Sequence, residues 1–184
     1  MEEGAADAGA EVASGAADAS GEGVVSGEGV VSGARSAIPE PLPRRVEIPA
    51  ELRRALVDHA DSGYPNEACG IMSGPRGFEE GGQPTRFYPT RNAAASRYRY
   101  LVDPQDQLRA YLSIDDAGEA IWGVFHSHTH TPAVPSPTDV GKAWPGGTVY
   151  VIYSLDANED RRLRAWTIDG EQMTELDVAE SATT

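Results

Sequence analysis

The chain has 184 residues, of which 40% are hydrophobic and 7% aromatic, enough apolar material to build one ordinary folded domain. Fifteen Lys and Arg stand against 29 Asp and Glu, and the resulting net charge of -14 repels phosphate backbones and anionic lipid surfaces, which argues against nucleic-acid and membrane partners. No stretch approaches the roughly 18 to 20 apolar residues of a membrane span, the N-terminus lacks a basic start followed by an apolar run, and Cys69 has no second cysteine to pair with, so a cytoplasmic address is expected.

Residues 1–45 are rich in Gly, Ala, Ser and acidic side chains, with GEGVVS twice in tandem at 21–26 and 27–32. So little apolar area cannot offset the entropy of ordering, and a disordered tail is expected, with Pro39, Pro41 and Pro43 forming the linker into the domain. The folded unit is expected over 46–178, followed by a flexible C-terminus at 179–184. Leu52, Ala55, Leu56, His59 and Ala60 recur at helical spacing behind Pro49, which predicts an amphipathic helix over 49–61. Cys69–Met72 reads as a strand, followed by a Gly-rich hairpin or loop through Gly81-Gly82, and Arg86–Pro89 and Tyr98–Val102 read as further strands. Pro104 opens a second helix that Gly118 closes. Strands are expected at 120–128, 148–155 and 163–168, with a short helix after Ser136 between the first two and an antiparallel hairpin joining the last two. Strands and helices mix without regular βαβ alternation, which predicts an α/β layered domain with a mixed, mostly antiparallel sheet flanked by helices.

The segment HSHTHTPAVPSPTD at 126–139 carries the chemistry. An apolar strand runs into His126-Ser127-His128, and residues two apart on a strand project to one face, so both imidazoles can meet one metal. Ser136-Pro137 is a good helix start that leaves Asp139 in the first turn. Two imidazoles, one carboxylate and a free fourth position form the ligand set of a catalytic zinc, whereas structural sites are closed and usually rich in cysteine. Taken singly, Ser-Pro-Thr-Asp is a capped helix start and His-x-His is weak; their conjunction gives the reading its force.

This composite resembles the JAMM (JAB/MPN) metallopeptidases, which carry a Glu, then His-x-His, seven residues and Ser-x-x-Asp. Here seven residues, 129–135, separate His128 from Ser136, and Asp139 completes the pattern. The upstream glutamate maps to Glu67 in Tyr64-Pro65-Asn66-Glu67-Ala68-Cys69-Gly70. The resemblance covers about residues 46–177 and implies a JAB/MPN-like, cytidine-deaminase-like fold. It implies one Zn2+ per chain on His126, His128 and Asp139, proton transfer by Glu67, and help from Ser136 to the tetrahedral oxyanion. The Pro-x-Glu-Ala-Cys-Gly stretch and compact length look most like bacterial single-domain members that cut after the C-terminal Gly-Gly of small ubiquitin-like sulfur-carrier proteins, releasing cysteine or a short extension. The chain departs from the commoner pattern at Thr129, where many members place proline, and in a third histidine, His130. His130 is read as a cleft-rim residue or a substrate contact, His59 as a satisfied boundary histidine, and Cys69 as a small buried hydrophobe.

Among competing functions, a non-catalytic scaffold of this fold would be expected to lack one or more ligands, and all are present here. A zinc nucleoside deaminase needs a Pro-Cys-x-x-Cys pair, absent from a chain with one cysteine. The sequence leaves monomer and homodimer both open.

Overall fold

A computed structural model of the chain describes residues 44–144, 147–160 and 162–181, within the compact unit Pro39–Thr184. The expected tail, up to residue 43 and including the three linker prolines, lies outside the described residues, as do 182–184. Seven strands, β1 (Arg45–Pro49), β2 (Cys69–Gly74), β3 (Arg86–Thr90), β4 (Ala120–His128), β5 (Val149–Ser154), β6 (Leu163–Asp169) and β7 (Gln172–Ser181), form one sheet of order β1-β7-β6-β5-β4-β2-β3. The β1–β7 and β4–β5 pairs are parallel and the other four antiparallel, which is the mixed, mostly antiparallel sheet expected.

Strand periodicity sorts the side chains into two layers. Val149, Val151 and Tyr153 of β5 enter a core with Val46, Ile48, Leu52, Leu56 and Ala60, where helix α1 (Ala50–Gly63) packs. Tyr150 and Ile152 face the other way, towards Val124, Ala133 and Trp166. On that second face α2 (Pro104–Asp116) buries Ala110 and Ile114 against Ile71, and α3 (Pro137–Gly141) lies in the parallel crossover from β4 to β5. Asp103 caps α2 by accepting from the amides of Gln105 and Asp106, and Gly118, at φ 63°, supplies the left-handed turn that ends it. Among the described residues no helix is long and apolar enough to cross a membrane.

Three features differ from the sequence reading. β1 and β7 were not anticipated, and β7 continues to Ser181, past the boundary at 178. Tyr98–Val102 is not a strand: only the single bridge Asn92–Val102 forms, because the side chain of Asn92 takes up the backbone groups that a ladder would use. Thirdly, α1 starts at Ala50, with Pro49 at its N-cap.

The β2–β4 register skips Trp122: Ser73 pairs with Ile121 and Met72 with Gly123. This bulge resets the alternation, so that Trp122 and Phe125 share the α1 side while Val124 faces the α2/α3 layer. Gly123 is required where it is, since a Cβ there would stand 2.5 Å from the Val149 carbonyl oxygen of the adjacent strand.

Candidate active site

Following Val124 at two-residue steps, His126 and His128 project into the α2/α3 layer at the C-terminal end of β4. The antiparallel register pairs Cys69 with His126, and continuing it two residues beyond β2 sets Glu67 across from His128. Ser127 locks this alignment: its hydroxyl accepts the Ala68 amide at 2.8 Å, and its own amide donates to the Ala68 carbonyl at 2.9 Å. The short sequence between the histidines therefore fixes the glutamate as well as the ligands.

Asp139 arrives from α3 through a capping box, in which the Ser136 amide and hydroxyl donate to Asp139 Oδ2 at 2.7 and 2.6 Å and the Asp139 amide donates back to Ser136 Oγ. His126 Nε2 lies 3.2 Å from His128 Nε2 and 3.5 Å from Asp139 Oδ1, while His128 Nε2 lies 3.6 Å from Asp139 Oδ2. Ligand atoms at about 2.0–2.1 Å from a tetrahedral metal are separated by about 3.3 Å, so these spacings suit one ion. The three residues form a buried group whose ligand atoms lie within 4.8 Å of one another. The tautomer agrees, because His128 Nδ1–H donates to the Pro132 carbonyl at 2.8 Å and leaves Nε2 with a free lone pair. His126 stacks on Tyr100, with ring centroids 4.4 Å apart, and its Nδ1 has no hydrogen-bond partner among the described residues.

The electrostatics match a site built for a cation. Burial raises the Glu67 carboxyl to about 7, with Asp139 adding to the rise and His128 opposing it. Burial also pushes Asp139 upward, yet the neighbouring His126 and His128 imidazoles and the hydrogen bond from Ser136 outweigh it and hold this carboxyl well below the usual range. His126 is driven down by complete burial; His128, though desolvated, is drawn up by Asp139 and the Pro132 carbonyl. Several electron-pair donors thus converge where positive charge is wanted.

Glu67, His128, Ser136 and Asp139 open onto one cleft of about 160 Å³, whose other wall carries Arg97, Tyr98, Arg99 and His130. His130 is exposed on this wall, stacked on Tyr98 and in contact with Arg97. Thr129 is buried and its hydroxyl donates to the Arg97 carbonyl at 2.7 Å, so the strand exit is tied down without proline. His59 is half-buried, donates Nε2–H to the Cys69 carbonyl at 3.0 Å and meets the Phe87 ring edge-on. Cys69 is fully buried, and that burial pushes its thiol up to about 11. Sequence reasoning missed Tyr100, Asn92 and the two arginines of the far wall. A signal was present in Arg97-Tyr98-Arg99-Tyr100, an alternation of cationic and aromatic side chains in a strongly acidic chain.

Residues 49–169 match the family described as prokaryotic homologs of the JAB domain. The chain is 38% identical over 131 residues to the CysO-cysteine peptidase of Mycobacterium tuberculosis, an alignment covering 71% of this chain and 88% of that one. It is 34% identical over 141 residues to the desampylase of Haloferax volcanii, covering 73% and 96% respectively. The solution structure of a protein from Desulfitobacterium hafniense superposes with a TM-score of 0.65 at 28% identity, covering 75% of this chain and 94% of that one. With the fold and the matched span in agreement, the chain belongs to the prokaryotic JAB-domain family.

Proposed function

We propose that the chain is a zinc-dependent peptidase that hydrolyses the amide bond after the C-terminal Gly-Gly of a small ubiquitin-like sulfur-carrier protein, releasing cysteine or a short extension. The observation that carries this reading is the convergence of His126, His128 and Asp139 on one point, with Glu67 in the same cleft. Zinc, held by those three side chains, would supply Lewis acidity and lower the pKa of bound water to about 7. Glu67 accepts a proton from the attacking water and delivers it to the leaving amine, a role that its elevated pKa suits. Ser136 lends its hydroxyl to the oxyanion; when the hydroxyl turns away from Asp139, the Ser136 amide keeps its own bond to Oδ2 at 2.7 Å. Water's oxygen ends on the glycine carboxylate and its protons on the amine. Glycines at the end of the carrier let an extended tail pass the ligands with no side chain in the way. Relatives named CysO-cysteine peptidase, desampylase and probable TtuB-protein conjugate cleaving protease support a conjugate as substrate.

The test loads purified protein with zinc and incubates it with the host's carrier–cysteine conjugate, following intact mass. One zinc per chain, free cysteine and a carrier ending in Gly-Gly are expected, and His128→Ala should lose metal and turnover together. Turnover that survives a strong chelator would remove zinc from the proposal; hydrolysis of unrelated peptides with every carrier conjugate untouched would remove the substrate.

A further inference from the structure

We infer that Arg97 and Arg99 form a receptor for the free α-carboxylate of the released residue, so that the enzyme prefers a single amino acid on the carrier's end over a lysine side chain of another protein. This rests on the peptidase reading above and specifies the leaving group.

Both arginines are exposed on the wall of the cleft that holds Glu67, His128, Ser136 and Asp139. The chain carries 15 cationic side chains against 29 acidic ones, yet among the described residues neither arginine has a carboxylate partner. Arg91, by contrast, is tied to Asp103 and Asp106, and Arg164 to Glu175. Arg97 rests over the Tyr98 ring, 5.7 Å from its centroid, and against His130, contacts that leave its charge uncompensated. The wall is also preorganised. The Arg97 carbonyl accepts from Thr129, the Arg99 carbonyl from the Asn92 side chain at 3.1 Å, and the same amide group holds the Glu67 carbonyl at 2.9 Å. The Glu67 amide in turn donates to the Ser96 carbonyl at 2.9 Å. The backbone that carries the arginines and the backbone of Glu67 are therefore held by one shared set of bonds.

The chemistry of the leaving group gives these cations a task. When a single amino acid is released, its α-carboxylate lies two bonds from the scissile nitrogen, close to Glu67, whose like charge opposes binding. Guanidinium groups, which pair with carboxylates in a planar two-pronged fashion, cancel that repulsion. An isopeptide bond to lysine places no carboxylate near the nitrogen and has no use for them.

The experiment uses the host carrier ending in Gly-Gly joined to L-cysteine, to L-cysteinamide, or to the ε-amine of lysine. Wild-type enzyme should favour the free carboxylate over the carboxamide by at least about 10-fold in kcat/KM. In R97A/R99A that ratio should fall towards one, and the double lysine variant should restore part of it. Calorimetric binding of the three conjugates to the slow E67Q variant should show the same order without any turnover. Equal treatment of carboxylate and carboxamide by an enzyme that still cleaves both would overturn the inference and spare the peptidase reading. So would a double variant whose affinity for cysteine-free carrier falls as much as for the conjugate, since the arginines would then be reading the carrier's body. A conjugate neither bound nor cleaved would overturn both.

Discussion

In the proposed reaction Glu67 answers to two opposed demands: it must be ionised to accept a proton, and it is buried beside Asp139, which favours the protonated form. Replacing it with glutamine keeps the shape and the metal ligands, so Glu67→Gln should retain zinc by elemental analysis while turnover falls by at least about 100-fold. The pH profile should carry the same signature. A raised pKa means that activity is present above it and lost as pH falls through it. A cation on His126, His128 and Asp139 draws the value below the figure of about 7 caused by burial, so the acidic limb of kcat/KM should fall between 4.5 and 7. A wild-type profile flat across that window would remove Glu67 from the proton transfer. Ser136→Ala should cost about 10- to 100-fold in kcat with zinc retained, because the Asp139 carboxylate keeps the Ser136 backbone amide. Loss of the metal in that variant would mean that the hydroxyl serves the ligand and not the oxyanion.

The 92–101 loop, strand β4 and the start of α3 set the site. Asn92 ties together the ends of the 92–101 loop and the Glu67 segment, its Oδ1 accepting from the Ala94 and Leu101 amides, both at 3.0 Å. Asn92→Ala leaves those groups short of partners and should destabilise the protein by about 1–3 kcal/mol in urea unfolding, with a weaker substrate KM as the wall loosens. An unchanged unfolding midpoint would show that the loop is held by other contacts. The His126, His128 and Asp139 cluster was legible in the sequence because its three residues fall within fourteen positions, each on a strand end or first helical turn whose geometry is stereotyped. Helix α1 was legible for a similar reason, since Leu52, Leu56 and Ala60 mark one buried face. β7 was not, because Leu176 is its one fully buried apolar side chain and the rest of its inward signal is too sparse to show a period of two. β1 offers only Val46 and Ile48 ahead of a proline. The Tyr98–Val102 segment misled through its aromatic and aliphatic content, which serves the cleft wall and the Tyr100–His126 stack instead of a ladder. The far wall was missed because the alternation in Arg97-Tyr98-Arg99-Tyr100 carries no spacing to the histidines, and folding alone brings its cations to the cleft.

For the molecule as a whole, the sheet's ends decide what can be trimmed. Residues 1–43 carry little that a core would use, so their removal should leave the thermal midpoint and turnover on a small substrate unchanged. Cutting on through Pro49 removes β1 and with it Val46 and Ile48, both fully buried. At about 1.5–3 kcal/mol each, that loss takes a large share of an ordinary domain's stability, and the shorter protein should be unfolded by circular dichroism. A folded product would mean that β1 is dispensable. The pairing of Arg45 with Asp177 and of Ile48 with Glu180 has a consequence for how the protein is made. The first of the described strands has its permanent neighbour in the last, so Val46 and Ile48 have no sheet edge to pair with until β7 has been translated. Closure of this sheet edge therefore waits for β7, and the interval before it is when the nascent chain most needs a chaperone.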